Sequence, residues 1–358
     1  MKALILVGGY GTRLRPLTLS CPKPLVDFCN KPMILHQIEA LVAVGVTEVV
    51  LAVNYQPEKM MAFLEKQEKE LGIKITTSQE FEPLGTAGPI KLAEKYLNDS
   101  EPFFVLNSDV SCDYPFEKMI EFQKETGAGG VLLATPVDDP SKFGVILYDD
   151  HGKIESFVEK PKEFISRFIN AGIYYLTPGV FDRIELRPTS IEKEVFPQMA
   201  SEGLLYAMEL KGFWADVGQP KDYLAGQTMR LAAFEVNNRE MLAHGPGIEG
   251  NVLVHAKAII KSGAVVGPDV VVGEGCVIEE GARVKSATLL KGAHVGAHAY
   301  VNKSIVGWAS RIGKWARVDN HSVLGEDVSV ADEVLVNESI VLPHKGVKSN
   351  LATKTIVL

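Results

Sequence analysis

From Ile248 onward every sixth residue is aliphatic: Ile248, Val254, Ile260, Val266, Val272, Ile278, Val284 and Leu290. A slip of phase follows, bridged by Val295 and Val301. The register then restarts at Val306 and runs through Ile312, Val318, Leu324, Val330, Val336 and Leu342. A period of six fits neither the 3.6-residue α-helix nor simple strand alternation. It is the mark of a parallel β-helix of hexapeptides. One aliphatic side chain per short strand points into the solenoid, and three hexads make one triangular coil of the left-handed form. The pairs Val266-Gly267 and Val272-Gly273 suit the corners. Such a solenoid has exposed faces and open ends, which favour closed oligomers. The expected role of this part is therefore assembly.

The rest of the 358-residue chain is long enough for a second domain. We divide the sequence into a domain at 1–230, a linker at 231–246, the β-helix at 247–343 and a tail at 344–358. A net charge of −8 argues against nucleic acid as the main partner, so any phosphate-binding site must be local. Cys21, Cys29, Cys112 and Cys276 show neither C-x-x-C nor zinc spacing and read as reduced thiols. The opening Lys2 and short apolar run do not make a secretory signal, and no apolar stretch approaches membrane-spanning length. Cytoplasmic residence is the expectation.

Ala3–Val7 reads as one buried strand, and Gly8, Gly9 and Gly11 follow it at once. Glycines there let the backbone take positive φ and bring bare N–H groups close to an anion. Arg13, Arg15 and Lys23 add full charge, and Pro16, Pro22 and Pro24 stiffen the loop so that Lys23 keeps a fixed reach. Neither the Rossmann nor the Walker pattern is present. An ordinary βα turn with solvated basic residues is the plain alternative.

Onward from Glu48–Val53, strands and helices alternate. The spacing predicts a helix over Pro57–Leu71, with Met60, Met61, Leu64 and Leu71 as its core stripe and Pro57 at its start. It also predicts a strand over Ile73–Thr77, a helix over Pro89–Leu97 and a strand over Pro102–Leu106. A helix over Pro115–Thr126 and a strand over Val131–Ala134 follow. This alternation implies an α/β domain whose ligands bind beyond the carboxyl ends of its strands. A hairpin at 144–158, a strand at Phe168–Leu176, and helices at Pro188–Ala200 and Pro220–Phe234 complete it.

Several residues carry chemistry on this scaffold. An aspartate at a strand end is by default a turn former. Asp109, which ends a strand near the glycine loop, also suits Mg²⁺, a hard cation that takes one or two carboxylates plus substrate phosphates. Asp216, between Trp214 and Gly218, is the candidate second carboxylate. Glu159-Lys160 is ordinarily a solvated pair, but Pro161 fixes its backbone and would aim Lys160 at a sugar phosphate. Glu159 and Asn170 would then hydrogen-bond sugar hydroxyls. Pro83–Gly88 is a second glycine loop, which places Gly85 and Thr86 against a nucleobase. Glu80 nearby suits the paired N–H donors of guanine, whereas uracil or thymine would prefer an amide.

Taken together, Gly-Gly-x-Gly-x-Arg-Leu at 8–14, Pro-Lys-Pro-Leu at 22–25, Pro-Leu-Gly-Thr-Ala-Gly at 83–88 and Leu-Asn-Ser-Asp at 106–109 resemble the sugar-phosphate nucleotidyltransferases. Phe-Val-Glu-Lys-Pro at 157–161, Trp-Ala-Asp-Val-Gly-Gln-Pro at 214–220 and the β-helix extend the resemblance over essentially the whole chain. It is closest to the GDP-mannose-forming branch, in its eukaryotic catalytic beta-type form. The resemblance implies a Rossmann-like mixed-sheet nucleotidyltransferase domain followed by the left-handed β-helix. It also implies GTP and mannose 1-phosphate as substrates, Mg²⁺ on Asp109 and Asp216, and Arg13, Lys23 and Lys160 as catalytic cations. The expected nucleotide-contacting set is Leu6, Gly8, Gly9, Gly11, Thr12, Arg13, Lys23, Glu80, Gly85, Thr86 and Asn107. Gly144, Glu159, Lys160 and Asn170 are expected to hold the sugar phosphate. A homo-oligomer and a complex with a regulatory alpha-type subunit are implied by the resemblance as well. Rival readings are thymidylyl or adenylyl transfer to glucose 1-phosphate, and a non-catalytic nucleotide-sugar sensor. A hexapeptide acyltransferase using His255, His294, His298 or His321 is a third, though it leaves the N-terminal half unexplained.

Overall fold

A computed structural model describes residues 1–9, 11–54 and 58–358. The chain forms two compact units. The first comprises Met1–Gly9 with Ile34–Trp214, and the second comprises residues 11–33 with Ala215–Leu358. The units group the residues differently from the expected 1–230 and 247–343 blocks. The basic loop after the first strand belongs with the β-helix, not with the sheet from which it emerges.

The first unit is built on a nine-stranded mixed sheet. Lys2–Val7 lies between Glu48–Val53 and Phe103–Asn107, parallel to both, with Val7 opposite Val53 and Leu6 opposite Asn107. Leu4, Ile5, Val50 and Val105 are fully buried, as continuous apolar runs in a parallel sheet should be. This register brings Gly8, Asn54 and Ser108 out at one edge. Phe168–Leu176 then runs antiparallel to Phe103–Asn107 and to Gly130–Pro136, which makes the sheet mixed. Gly144–Tyr148 and Ile154–Glu159 form the expected hairpin.

The helix Glu58–Leu71 buries Met60, Leu64 and Gln67 at i, i+4 and i+7, whereas Met61 and Leu71 of the expected stripe are only half-buried. Pro57, read as its start, lies outside the described residues. Phe116–Thr126 stops at Gly127, whose φ of 65° closes the last turn onto the Gln123 carbonyl. The helix Met33–Ala43 and the strand Leu205–Glu209 are among the elements that escaped the sequence reading, with the short strands Asp27–Phe28, Lys31–Pro32 and Val110–Cys112. Pro188–Ser190 is not helical as expected. Thr189 pairs with Gly85, so a π-turn at Ile191–Val195 and the α-helix Phe196–Ser201 follow only after it.

In the second unit three parallel sheets stack coil on coil, the left-handed β-helix expected from the hexads. Its core contains Val266, Val272, Ile278, Val284, Val295, Val301, Val306, Ile312, Val318, Leu324, Val330 and Val336. Two expected core positions are corrected. Leu289, not Leu290, follows Val284 inward, and Val341 stands where Leu342 was expected. The cause is local. Those corners turn on a single left-handed residue, Ser286 (φ 45°) and Glu338 (φ 48°), and so use one residue fewer. Where Asn320 and His321 are both left-handed, six-residue spacing returns. The segment read as a tail continues the solenoid, since Gly346–Val347 pairs with Ser329–Val330 and Ile356–Val357 with Ile340–Val341. The segment read as a linker opens inside the helix Pro220–Asn237.

One face of the solenoid is covered. Leu253, Val271, Leu290, Ile305 and Val323, which flank the inward residues on one sheet, pack with Leu14, Leu17, Val26, Phe28, Tyr223 and Leu231. Gln227 of the helix Pro220–Asn237 donates to the carbonyls of Asp269 and Ala287, both at 3.1 Å, and accepts from the Thr288 hydroxyl. Outward positions on the other two sheets are mostly polar, for example Arg283, Tyr300, Arg317, His294, Arg311 and Ser329. Among the described residues no helix is long and apolar enough to cross a membrane.

Candidate active site

In the first unit a cavity of about 340 Å³ opens at the carboxyl edge of the parallel strands. That lies at the small end of the range for ligand pockets. Leu6, Gly8, Gly9, Glu80, Gly85, Thr86, Asn107 and Asp109, all expected from the sequence, line it together, with Asn54, Pro83, Leu84 and Ser108. Gly8 and Gly9 face open space, where an added Cβ would meet no atom within 4 Å. Gly9 has φ 78°, as a turn presenting N–H groups requires.

Glu80 is buried, 6 % exposed, and its Oε2 accepts from the Leu84 N–H at 3.1 Å. That bond folds the loop 80–84 back on itself. Burial holds the Glu80 carboxyl above its ordinary value of 4.5, against the opposing Leu84 hydrogen bond. Gly85 has φ 74°, and a Cβ there would lie 2.4 Å from the Thr189 carbonyl oxygen. The Thr86 hydroxyl donates to Glu192 Oε2 at 2.6 Å and accepts from the Ile191 N–H at 2.9 Å. Thr86 thus fastens the loop to the π-turn, a task that the sequence did not suggest. Glu192 was missed because its partner lies 106 residues away in sequence.

Asp109 sits in the turn between Phe103–Asn107 and Val110–Cys112. Gln37, fully buried on the helix Met33–Ala43, spans this turn from behind. Its Nε2 donates to the carbonyls of Asn107 at 2.8 Å and Val110 at 3.0 Å. Both sides of Asp109 are therefore held by one amide. Gln37 was missed along with its helix. The Asn107 amide packs against Gly172, which has φ 76°.

Gly144 and Glu159 are direct partners across the hairpin, and a Cβ on Gly144 would lie 3.0 Å from Glu159 Oε2. The Lys160 Nζ stands 3.4 Å from Glu159 Oε1, with most of its side chain in solvent. Its φ of 49°, directly before a proline, is an uncommon conformation for a non-glycine residue. The Lys160 N–H donates to the Phe143 carbonyl at 2.9 Å, which helps to hold it there. Asn170 lies in a bulge of Phe168–Leu176, donating to the Tyr174 hydroxyl at 2.8 Å and accepting from the Gly172 N–H at 3.0 Å. Its amide thus shapes the bulge and keeps one further donor and acceptor position.

In the second unit Gly11 (φ 61°) begins the 3₁₀ turn Thr12–Leu14 that carries Thr12 and Arg13. A Cβ on Gly11 would lie 3.0 Å from Lys23 Cβ, so the two ends of the loop are in contact. The Thr18 hydroxyl closes it onto the Gly11 carbonyl at 2.8 Å. Asp216 Oδ1 accepts from the Gly218 N–H at 2.9 Å. A Cβ on Gly218 would meet both that oxygen, at 2.8 Å, and the Arg13 guanidinium, at 3.0 Å. Arg13 and Asp216 therefore flank one glycine. The expected set is thus divided, with Asp109, Glu80 and Lys160 in the first unit and Arg13, Lys23 and Asp216 in the second. Among the described residues no three or more His, Cys, Asp or Glu side chains gather as a metal cluster.

A strand-end glycine turn, a second glycine loop beside a buried carboxylate and a strand-end aspartate define a nucleotide-handling α/β protein. Residues 2–232 match the family described as nucleotidyl transferase, and residues 248–357 match the GMPPB C-terminal domain. The chain is 57% identical to mannose-1-phosphate guanyltransferase beta-A of Xenopus laevis over the full length of both. It is 56% identical to mannose-1-phosphate guanylyltransferase 1 of Arabidopsis thaliana, again over the full length of both. Among solved structures, HddC from Yersinia pseudotuberculosis complexed with GMP-PN superposes with a TM-score of 0.53 at 31% identity, covering 63% of this chain and 97% of that one. The chain belongs to the nucleotidyl transferase family and, within it, to the mannose-1-phosphate guanylyltransferases.

Proposed function

We propose that this chain transfers a guanylyl group from GTP to mannose 1-phosphate, giving GDP-mannose for glycosylation, and pyrophosphate. The cavity of the first unit carries this reading, because one space is lined by an open glycine turn, a buried carboxylate and a strand-end aspartate. The open faces of Gly8 and Gly9 suit close approach of phosphate to backbone N–H groups. Glu80 Oε1 has no partner among the described residues and suits the N1–H and N2–H₂ donors of guanine.

The sugar phosphate oxygen attacks the α-phosphorus of GTP in line. A bond forms from that oxygen to the α-phosphorus, and the bond to the β-phosphate oxygen breaks. The nucleophile is already an anion, so positioning and charge neutralisation suffice without a general base. Arg13 and Lys23 neutralise charge on the triphosphate and the leaving pyrophosphate. Lys160 holds the sugar phosphate, with Glu159 and Asn170 on the hydroxyls and Gly144 leaving room beside Glu159. Asp109 and Asp216 are the carboxylates for a divalent cation, Mg²⁺. A pair of carboxylates fits an ion that takes its remaining ligands from phosphates and water. When bound, it supplies neutralisation of the phosphate oxygens.

The β-helix serves assembly, as a homo-oligomer and with an alpha-type partner. The four cysteines are free thiols, which suits the cytoplasm. A panel of GTP, ATP, UTP and dTTP against mannose 1-phosphate and glucose 1-phosphate, followed by pyrophosphate release, tests the reading. The expected result is a clear maximum for GTP with mannose 1-phosphate, and a maximum at any other pair overturns it.

A further inference from the structure

The loop that carries Arg13 and Lys23 is part of the compact unit formed by the β-helix. Lys23–Leu25 is a 3₁₀ turn, and the Val26 N–H donates back to the Lys23 carbonyl at 3.1 Å. Asp27–Phe28 and Lys31–Pro32 then form a tight hairpin, with Cys29 at φ 51° and Asn30 at φ 62°. Positive φ at both central residues is the geometry of the two-residue turn that best fits strand twist. Lys23 therefore stands only a few residues from a rigid element.

That hairpin is fixed to the solenoid at two points and to the helix Pro220–Asn237 at a third. The Asn30 amide donates to the Val272 carbonyl at 2.9 Å. The Trp308 indole N–H points at Asp27 Oδ2, 3.4 Å away. Phe28 is fully buried, edge-on to Tyr223 with ring centroids 5.2 Å apart, and the Tyr223 hydroxyl donates to the Asp27 carbonyl. Val272 and Trp308 belong to coils of the β-helix, and the Val272 side chain is spent on the solenoid core, so it is its carbonyl that faces Asn30. Val272 offers only a backbone oxygen, and Trp308 lies outside the aliphatic core.

We infer that the β-helix is the seat of the phosphate-binding loop, with Asn30 and Trp308 as positioning residues that fix the reach of Arg13 and Lys23 toward the triphosphate. The inference rests on the reading of Arg13 and Lys23 as triphosphate ligands. A shift of the hairpin moves Lys23 with it, and a misplacement near 1 Å can cost about a hundredfold in rate. Disturbing this seat weakens the handling of GTP and leaves the sugar phosphate untouched.

The test compares Trp308→Phe, which keeps a ring but removes the donor, with Asn30→Gly, which keeps the left-handed turn but removes the amide. Steady-state constants for both substrates, the melting temperature and the mass in solution are measured on the full chain. The expected result is a rise of about tenfold in the KM for GTP, or a comparable fall in kcat, with the KM for mannose 1-phosphate within about twofold. Mass and melting temperature stay near those of the wild type. Unchanged constants in both variants overturn the inference, as does an equal rise in both KM values. Arg13→Ala separates the two layers. If it leaves GTP handling intact, the phosphate reading itself fails; if it weakens GTP while both seat variants behave as wild type, only the seat fails.

Discussion

The loop 80–88 of the first unit and the loop 11–25 of the second both present glycine and charge for a nucleotide, yet they are supported in different ways. The first is held by polar bonds to one distant segment, Thr189 to the Thr86 and Ala87 N–H groups and Glu192 to the Thr86 hydroxyl, and by a local bond from the Leu84 N–H to Glu80. The second is held largely by apolar burial, with Leu14, Leu17, Val26 and Phe28 on the outer face of the solenoid. The two kinds of support fail differently. Removing one partner of a buried polar network strands the other, at about 1–3 kcal/mol for a group left unsatisfied. Trimming one aliphatic side chain leaves a cavity whose cost depends on how far the surroundings collapse, about 2–5 kcal/mol for Leu→Ala. Precision in the loop 80–88 therefore depends on a few atoms, and in the loop 11–25 on a whole surface.

The two carboxylates proposed for the divalent cation, one in each region, give the largest expected effect. Asp109→Asn and Asp216→Asn should each lower turnover by about a thousandfold while the melting temperature hardly moves, if charge neutralisation dominates. Pyrophosphate release and thermal unfolding measure this, and near-normal rates in both would remove the metal assignment. Next comes the contrast within the first unit. Gly85→Ala drives a Cβ against the Thr189 carbonyl at positive φ and should destabilise the fold as well as raise the KM for GTP. Gly8→Ala meets open space and should fold normally while GTP binding weakens by about tenfold. Equal melting temperatures for the two variants would contradict the account of Gly85.

Lys160→Ala should raise the KM for mannose 1-phosphate by about tenfold and spare that for GTP, since the ammonium is largely solvated and lies beside Glu159. The smallest effect concerns pH. Burial raises the folded-state value of Glu80 above 4.5, so the carboxylate proposed to read guanine takes up a proton as pH falls through that raised value. The KM for GTP should climb there, at a higher pH than an ordinary carboxylate would produce. Glu80→Gln should flatten that limb. The sign for stability is opposite. The folded chain binds the proton more tightly, so this group's contribution is fully present below 4.5 and is lost as pH rises through the folded value.

Much of the β-helix was legible because its period is local and repeats. Leu290 and Leu342 were misplaced because a corner shortened by one residue leaves an aliphatic on either side of the slip, and only the rung pairing tells them apart. In the catalytic sheet, β-branched runs flagged the strands, whereas Met33–Ala43 was hidden behind the proline-rich loop. Many of the cavity residues were legible because two glycine motifs and a strand-end aspartate fall at the carboxyl ends of the strands, where this sheet opens its cavity. The division of the chain into its two units was not legible, because it rests on contacts between segments more than 200 residues apart, such as Asn30 with Val272. A signal was nonetheless present. Val271, Leu290, Ile305 and Val323 form a run of apolar residues at outward positions of one face, and such a face needs a cover.

Phosphorus NMR of the purified chain with GTP, mannose 1-phosphate and Mg²⁺ tests guanylyl transfer most directly. The account predicts that the nucleotide signals give way to the coupled pair of a sugar diphosphate and the single line of pyrophosphate. It also predicts that adding pyrophosphate to GDP-mannose runs the reaction backward. GDP with inorganic phosphate, or no change at all, would contradict it.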